Sequence, residues 1–205
     1  RAILGEADGA ELGGREVDAV VLFTDLRNFT TLSERSDPQG VVAFLNEYFT
    51  MIVGAVHAEG GVVDKFIGDA AMAVFGLEGG EGAEDASERA MRAALAMRVG
   101  LAPVNARLAE RGLPQVNHGV GLHWGAMVAG NIGSADRLEY TVIGDAVNTA
   151  SRLESLCKEL GNPLLVSAAC HARLSPELQG RLVSLGPCNL KGKSSAVEVF
   201  GLGAD

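Results

Sequence analysis

The sequence predicts an α/β sandwich: one β-sheet with helices packed largely on one face, in the order β-α-β-β-α-β. Three observations predict it. The run Val17–Thr24 is short, β-branched and apolar, as a buried central strand is. An apolar stripe at helical spacing follows, between an Asp-Pro start and a Gly-Gly stop. Strand-like and helix-like stretches then alternate to the end of the chain.

The first strand ends at Asp25. Asp37-Pro38 supplies an N-cap followed by proline at the first helical position. Val41, Leu45, Tyr48, Ile52 and Val56 mark the inward face of the helix that follows, and Gly60-Gly61 closes it. Val62–Phe66 and Ala70–Phe75 read as a hairpin with Asp69 at its tip. Leu77–Ala83 is a flexible acidic loop. Met97, Leu101, Val104 and Leu108 then mark a long helix that Pro103 should kink or split.

Val116–Val128 is strand-like, Gly130-Asn131-Ile132-Gly133 reads as a Gly-rich turn, and Leu138–Ile143 as a strand pairing back. Val147, Ala150, Leu153 and Leu156 give a helix over Asp145–Leu160. Leu164–Ser167 and two strands near Leu182–Leu190 and Ala196–Leu202 complete the chain.

The 205 residues read as one domain over 17–205, with 1–16 a lead-in from an upstream region, since the chain begins at Arg1. The 47% apolar and 21% charged content describes a folding chain with an aliphatic core. A net charge of −9 repels a phosphate backbone and argues against nucleic acid as a partner. No apolar run approaches the roughly 20 residues that cross a bilayer, so no membrane contact is expected of this domain. Cys157, Cys170 and Cys188 are odd in number and widely spaced, which fits buried thiols in a reducing, cytoplasmic setting.

Two aspartates carry the chemistry. Asp25 ends a buried strand and Asp69 tips a hairpin, so adjacent central strands would bring their carboxylates together. Hard oxygen ligands of that kind bind Mg²⁺ or Mn²⁺ and leave the remaining positions to substrate phosphates. A pair of such ions clamps the attacking and leaving oxygens of a phosphoryl displacement. Ile143-Gly144-Asp145-Ala146 echoes Ile67-Gly68-Asp69-Ala70, but Asp145 precedes a helical pattern and reads as its cap. His118 and His123 lie an odd number of residues apart on one strand, hence on opposite faces, and cannot form a two-His metal site. His57 and His171 read as solvated or packed side chains, and Trp124 as a core or interface anchor.

Five ordered segments resemble the catalytic domain of class III nucleotidyl cyclases: Phe23–Thr30, Lys65–Asp69, Glu139–Gly144, Val147–Arg152 and Leu190–Lys193. The similarity runs from about Val17 to Leu202. It implies a ferredoxin-like palm with extra C-terminal strands, and a homodimer whose composite active sites lie between protomers. It makes Asp25, Asp69 and the Leu26 carbonyl the ligands of two Mg²⁺ or Mn²⁺ ions, and Asn28, Phe29 and Thr30 the backbone cradle of the β- and γ-phosphates. Relatives usually have glycine where Asn28 stands, and asparagine is the next residue most tolerant of positive φ.

Lys65 and Thr141 match the purine-selecting pair in the form that suits adenine, hence ATP. Guanylyl cyclases resemble Glu and Cys there. Asn148 and Arg152, four residues apart on one helix face, match the positions that orient the ribose and stabilise charge on the α-phosphate. Lys191, with Arg137 assisting, matches the position that binds the terminal phosphates; Lys193 is the weaker choice. Cyclases similar to this one with Thr at that purine position are often stimulated by bicarbonate. The implied activity is ATP to 3′,5′-cyclic AMP and pyrophosphate. The alternatives are a guanylate cyclase and a catalytically silent nucleotide-binding module; a diguanylate cyclase is opposed by Ala70-Ala71 after Asp69.

Overall fold

The computed structural model describes residues 13–77, 83–134, 137–193 and 195–203, with 83–85 described by backbone alone. The first strand, β1 (Gly13–Arg27), starts four residues before the expected boundary. A short helix α1 (Phe29–Glu34) follows, then α2 (Pro38–Ala58), the hairpin β2 (Val62–Ile67) and β3 (Ala70–Phe75), and helix α3 (Ala83–Glu110). Strand β4 (Asn117–Ser134) leads to β5 (Arg137–Ile143), α4 (Asp145–Leu160) and β6 (Leu164–Ser167). The short helices α5 (Ala168–His171) and α6 (Pro176–Gln179) precede β7 (Leu182–Cys188) and β8 (Val197–Leu202). The acidic loop lies, apart from Leu77 and Ala83, outside the described residues.

The strands form one sheet in the order β2-β3-β1-β4-β6-β8-β7, with β5 paired to β4. Its first four members, with α2 and α3 as the two crossovers, are the βαββαβ palm. β1 is central, running antiparallel to β3 and β4, and its side chains alternate. Val20 and Leu22 enter the core under α2 and α3, while Ala19 and Val21 enter a second cluster with Ala146 and Ala150 of α4. The palm helices thus share one face, as expected, and α4 is added on the other.

Asp37 caps α2 by accepting from the Gly40 N–H at 2.9 Å, with Pro38 in its first turn. By length and composition α2 is long and apolar enough to cross a membrane, contrary to the sequence reading. In the fold, Phe44, Tyr48, Ile52 and Val56 lie in the core.

Three local expectations are corrected. Pro103 does not split α3, which runs through it as one helix. The carbonyl left without its partner N–H is that of Val99, whose residue is 76% exposed and faces water. The Gly-rich segment 130–133 is no turn, because β4 continues through it. Gly130 is required there by close approach: a Cβ would sit 2.1 Å from the Gly13 carbonyl oxygen of β1. Asp145 does not cap α4; Gly144 holds that position, and the Asp145 carboxylate pairs with Lys193 instead.

Candidate active site

β1 carries Asp25 to the end of the sheet, where it stands opposite Ala70 on β3, directly after Asp69. Burial pushes the Asp25 carboxyl above its ordinary value, and the Asp69 charge adds to that push. The Arg27 guanidinium, 3.5 Å from Asp25, and the Leu26 N–H act the other way. Two carboxylates repelling one another at a half-buried site fit a divalent cation. Among the described residues no cluster of three or more His, Cys, Asp or Glu could hold a metal. An ion on Asp25, Asp69 and a main-chain carbonyl would therefore draw its other ligands from water or phosphate.

These acids open into a cleft of about 840 Å³. Leu26, Asn28, Phe29 and Thr30 line it from the chain after β1; Arg98 lines it from α3, Asn117 and His118 from the start of β4, and Lys158 from the end of α4. Asn28 has φ 65°, alone among the described non-glycine residues in that region, so asparagine does adopt the turn expected of glycine. His118 lies beneath the cleft, its Nδ1 3.4 Å from the Tyr48 hydroxyl, and burial lowers its pKa to about 4. His123 faces the other side of β4, 2.8 Å from the Ser167 hydroxyl, so the two histidines do point apart.

The purine-selecting candidates form a second cluster. Thr141 on β5 donates to the Asp64 carboxylate at 2.8 Å, and Lys65 on β2 lies 3.6 Å from Asp64 and 2.8 Å from Glu139. Burial raises the Asp64 carboxyl, opposed by the Thr141 hydroxyl and the Lys65 ammonium. A third group gathers on α4. Arg152 is half-buried, and the backbone of Gly192 packs beside its guanidinium, bringing the Lys191–Lys193 loop to the helix. Arg152 Nη1 is buried and makes no hydrogen bond, whereas Asn148, one turn earlier, is exposed. Arg137 opens β5 and is exposed, as is Lys191. None of Lys65, Thr141, Asn148, Arg152 or Lys191 lines the cleft of Asp25 and Asp69.

The model of the adenylate and guanylate cyclase catalytic domain matches residues 14–202. The chain belongs to that family. This cyclase domain is 35% identical over 196 residues to adenylate cyclase 1 of Rhizobium meliloti (strain 1021), covering 94% of this chain and 29% of that protein. Its fold matches the crystal structure of the adenylyl cyclase CyaB from P. aeruginosa at TM-score 0.84 and 28% identity, over 95% of this chain and 97% of that one. The guanylyl cyclase Cya2 is nearly as similar, at TM-score 0.81 and 30% identity, over 93% and 94% of the two chains. The cyclase domain thus spans under a third of its R. meliloti relative, and overall likeness does not separate the two purines.

Sequence reasoning did not find Asp64, Glu139, Arg27 or Glu154 as members of these clusters. Arg27 Nη2 donates to the Glu154 carboxylate and, at 2.9 Å, to the Glu154 carbonyl, tying β1 to α4. Burial pushes Glu154 up to about 7 against the pull of Arg27. Glu139 lay inside a matching segment, so its presence was visible and its partner was not. Trp124 is an anchor as read, partly buried against the core, with the Arg173 guanidinium 3.2 Å from its ring centroid. The buried thiols of Cys157 and Cys170 are pushed up to about 12, in keeping with inert core residues.

Proposed function

We propose that this domain converts ATP to 3′,5′-cyclic AMP and pyrophosphate in a homodimer, each active site drawing on both protomers. The observation that carries this reading is the convergence of Asp25 and Asp69 at a cleft rimmed by Asn28, Phe29 and Thr30. Bound there, divalent cations such as Mg²⁺ or Mn²⁺ would neutralise the triphosphate and acidify the 3′-hydroxyl. The backbone N–H groups of 28–30 cradle the β- and γ-phosphates.

Lys65 and Thr141 select adenine. Arg152, with one donor buried and unpaired, meets the charge that develops on the α-phosphate, while Asn148 orients the ribose and Lys191, with Arg137, holds the terminal phosphates. The 3′-oxygen bonds to the α-phosphorus as the bond to the bridging oxygen breaks; the hydroxyl proton passes to Asp25 or to water, and pyrophosphate departs. Arg152 and the purine pair do not line the Asp25 cleft, which supports the reading that a second copy of the chain brings them to it. Stimulation by bicarbonate belongs to this reading through Thr141, and a flat rate across added bicarbonate at fixed pH refutes that part.

Mixing Asp25→Ala with Arg152→Ala protein tests the composite site. Each variant alone is inactive. In an equal mixture about half the dimers are mixed, each with one intact site, so about one quarter of the wild-type rate returns. A mixture that exchanges subunits and stays inactive overturns the two-protomer reading, and undiminished Mn²⁺-dependent activity of Asp25→Ala overturns the cyclase assignment.

A further inference from the structure

The geometry points to Asp64 as a determinant of purine choice: we propose that its buried carboxylate fixes Thr141 as a hydrogen-bond acceptor and so sets the pocket for adenine against guanine. The inference rests on the reading of Lys65 and Thr141 as the purine-selecting pair. Neighbouring residues of a strand ordinarily face opposite ways. Between Val63 and Lys65, however, the register of β2 against β3 shifts, and Asp64 is the extra residue of that irregularity. A bulge re-aims a side chain. Asp64 and Lys65 consequently both reach β5, the one to Thr141 and the other to Glu139.

The Asp64 side chain is 1% exposed. Its Oδ2 accepts from the Thr141 hydroxyl at 2.8 Å and lies 3.6 Å from Lys65 Nζ, while Oδ1 is buried without a hydrogen-bond partner. A hydroxyl has a single hydrogen and rotates to suit its surroundings, so threonine alone would serve either purine. Beside a carboxylate, which has no proton to give, that hydrogen is committed inward and only lone pairs face a ligand. The Lys65 ammonium has three donors; Glu139 engages one at 2.8 Å and Asp64 attracts the charge from 3.6 Å, so at least one donor is left. One acceptor beside one donor complements the N6 amino group and N1 of adenine. Guanine presents O6 and N1–H at that edge, which sets acceptor against acceptor and donor against donor.

The test is the ratio of kcat/KM for ATP to that for GTP, which cancels the fraction of correctly folded protein. It is measured for the wild type, Asp64→Asn, Asp64→Ser and Thr141→Val. Asp64→Asn keeps the shape and frees the Thr141 hydrogen to turn outward; Asp64→Ser carries the test if the amide does not fold. Both should lower the preference for ATP on the order of tenfold, the worth of one mispaired polar contact. If both keep the wild-type ratio within about twofold while Thr141→Val changes it, the role of Asp64 is overturned and the purine pair stands. If Thr141→Val also leaves the ratio unchanged, the purine-pair reading itself fails.

Discussion

Replacing Arg27 with Met should uncouple strand β1 from helix α4 in a pH-dependent way. Arg27 gives two hydrogen bonds to Glu154, one to its carboxylate and one to its carbonyl at 2.9 Å, and lies 3.5 Å from Asp25. The Glu154 side chain is only 8% exposed, so the variant leaves a nearly buried acid without its cation. Removing one partner of such a pair costs about 3–5 kcal/mol while the survivor stays charged.

The sign with pH follows from Glu154 itself. Its pKa is raised in the folded state from 4.5 to about 7, so its contribution to stability is fully present below pH 4.5 and is lost as pH rises through 7. Arg27 restrains that rise, and without it Glu154 holds its proton to still higher pH. Urea unfolding at one protein concentration should show a loss of about 2 kcal/mol at pH 8 and about 1 kcal/mol at pH 5, where Glu154 is protonated with or without Arg27, because the pH unit above 7 in which only the wild type releases the proton is worth about 1.4 kcal/mol. The double variant Arg27→Met/Glu154→Leu should recover most of the loss at pH 8, since an apolar pair leaves no stranded charge. A loss under about 1 kcal/mol at pH 8, or one equal at both pH values, would refute the reasoning.

Three further outcomes are expected. Gly121→Ala places a Cβ 2.4 Å from both the Ala150 carbonyl oxygen and the Glu154 nitrogen, forcing α4 off the sheet; thermal unfolding should fall by about 5–10 °C, from about 2–3 kcal/mol of overpacking. Asp69→Asn removes a charge that raises Asp25. Mn²⁺ at ten times its Kd should therefore raise the Tm of the wild type by about 3–5 °C and leave that of the variant unmoved, an equal rise in both counting against the metal pair. Arg152→Ala should lower kcat by about 10²–10³ with KM changed less than about threefold, because its charge is needed mainly as the α-phosphate reacts. A KM effect alone would make Arg152 a ground-state binder.

The palm was legible because its signals are local. Asp37-Pro38, the stripe through Tyr48, Ile52 and Val56, and the hairpin turn at Gly68-Asp69 each state their structure within a few residues, and the fold follows them. What was not legible depends on partners distant in the chain. The six-residue α1 has no side-chain cap and too few turns to show a period. Gly130 reads as a turn former until β1 is seen to press against it, and nothing in α4 alone says which face of the sheet it covers.

The same division runs through the site. Asp25, Asp69, Lys65, Thr141 and Arg152 were identifiable by residue type and segment, but their separation into a metal cleft and a purine cluster is a property of the fold. The charges that tune them, Arg27, Glu154 and Asp64, were passed over for a common reason. Each adjoins a chosen residue in sequence, or follows one by two on a strand or helix, where it reads as part of the surrounding pattern. Only the side-chain contacts of β1 with α4, and of β2 with β5, turn it into a neighbour of the chemistry. With a net charge of −9 and a triphosphate as the proposed substrate, such local pairings matter most. The chain as a whole repels its ligand, so binding must arise where cations and buried carboxylates are set against one another within a few ångströms.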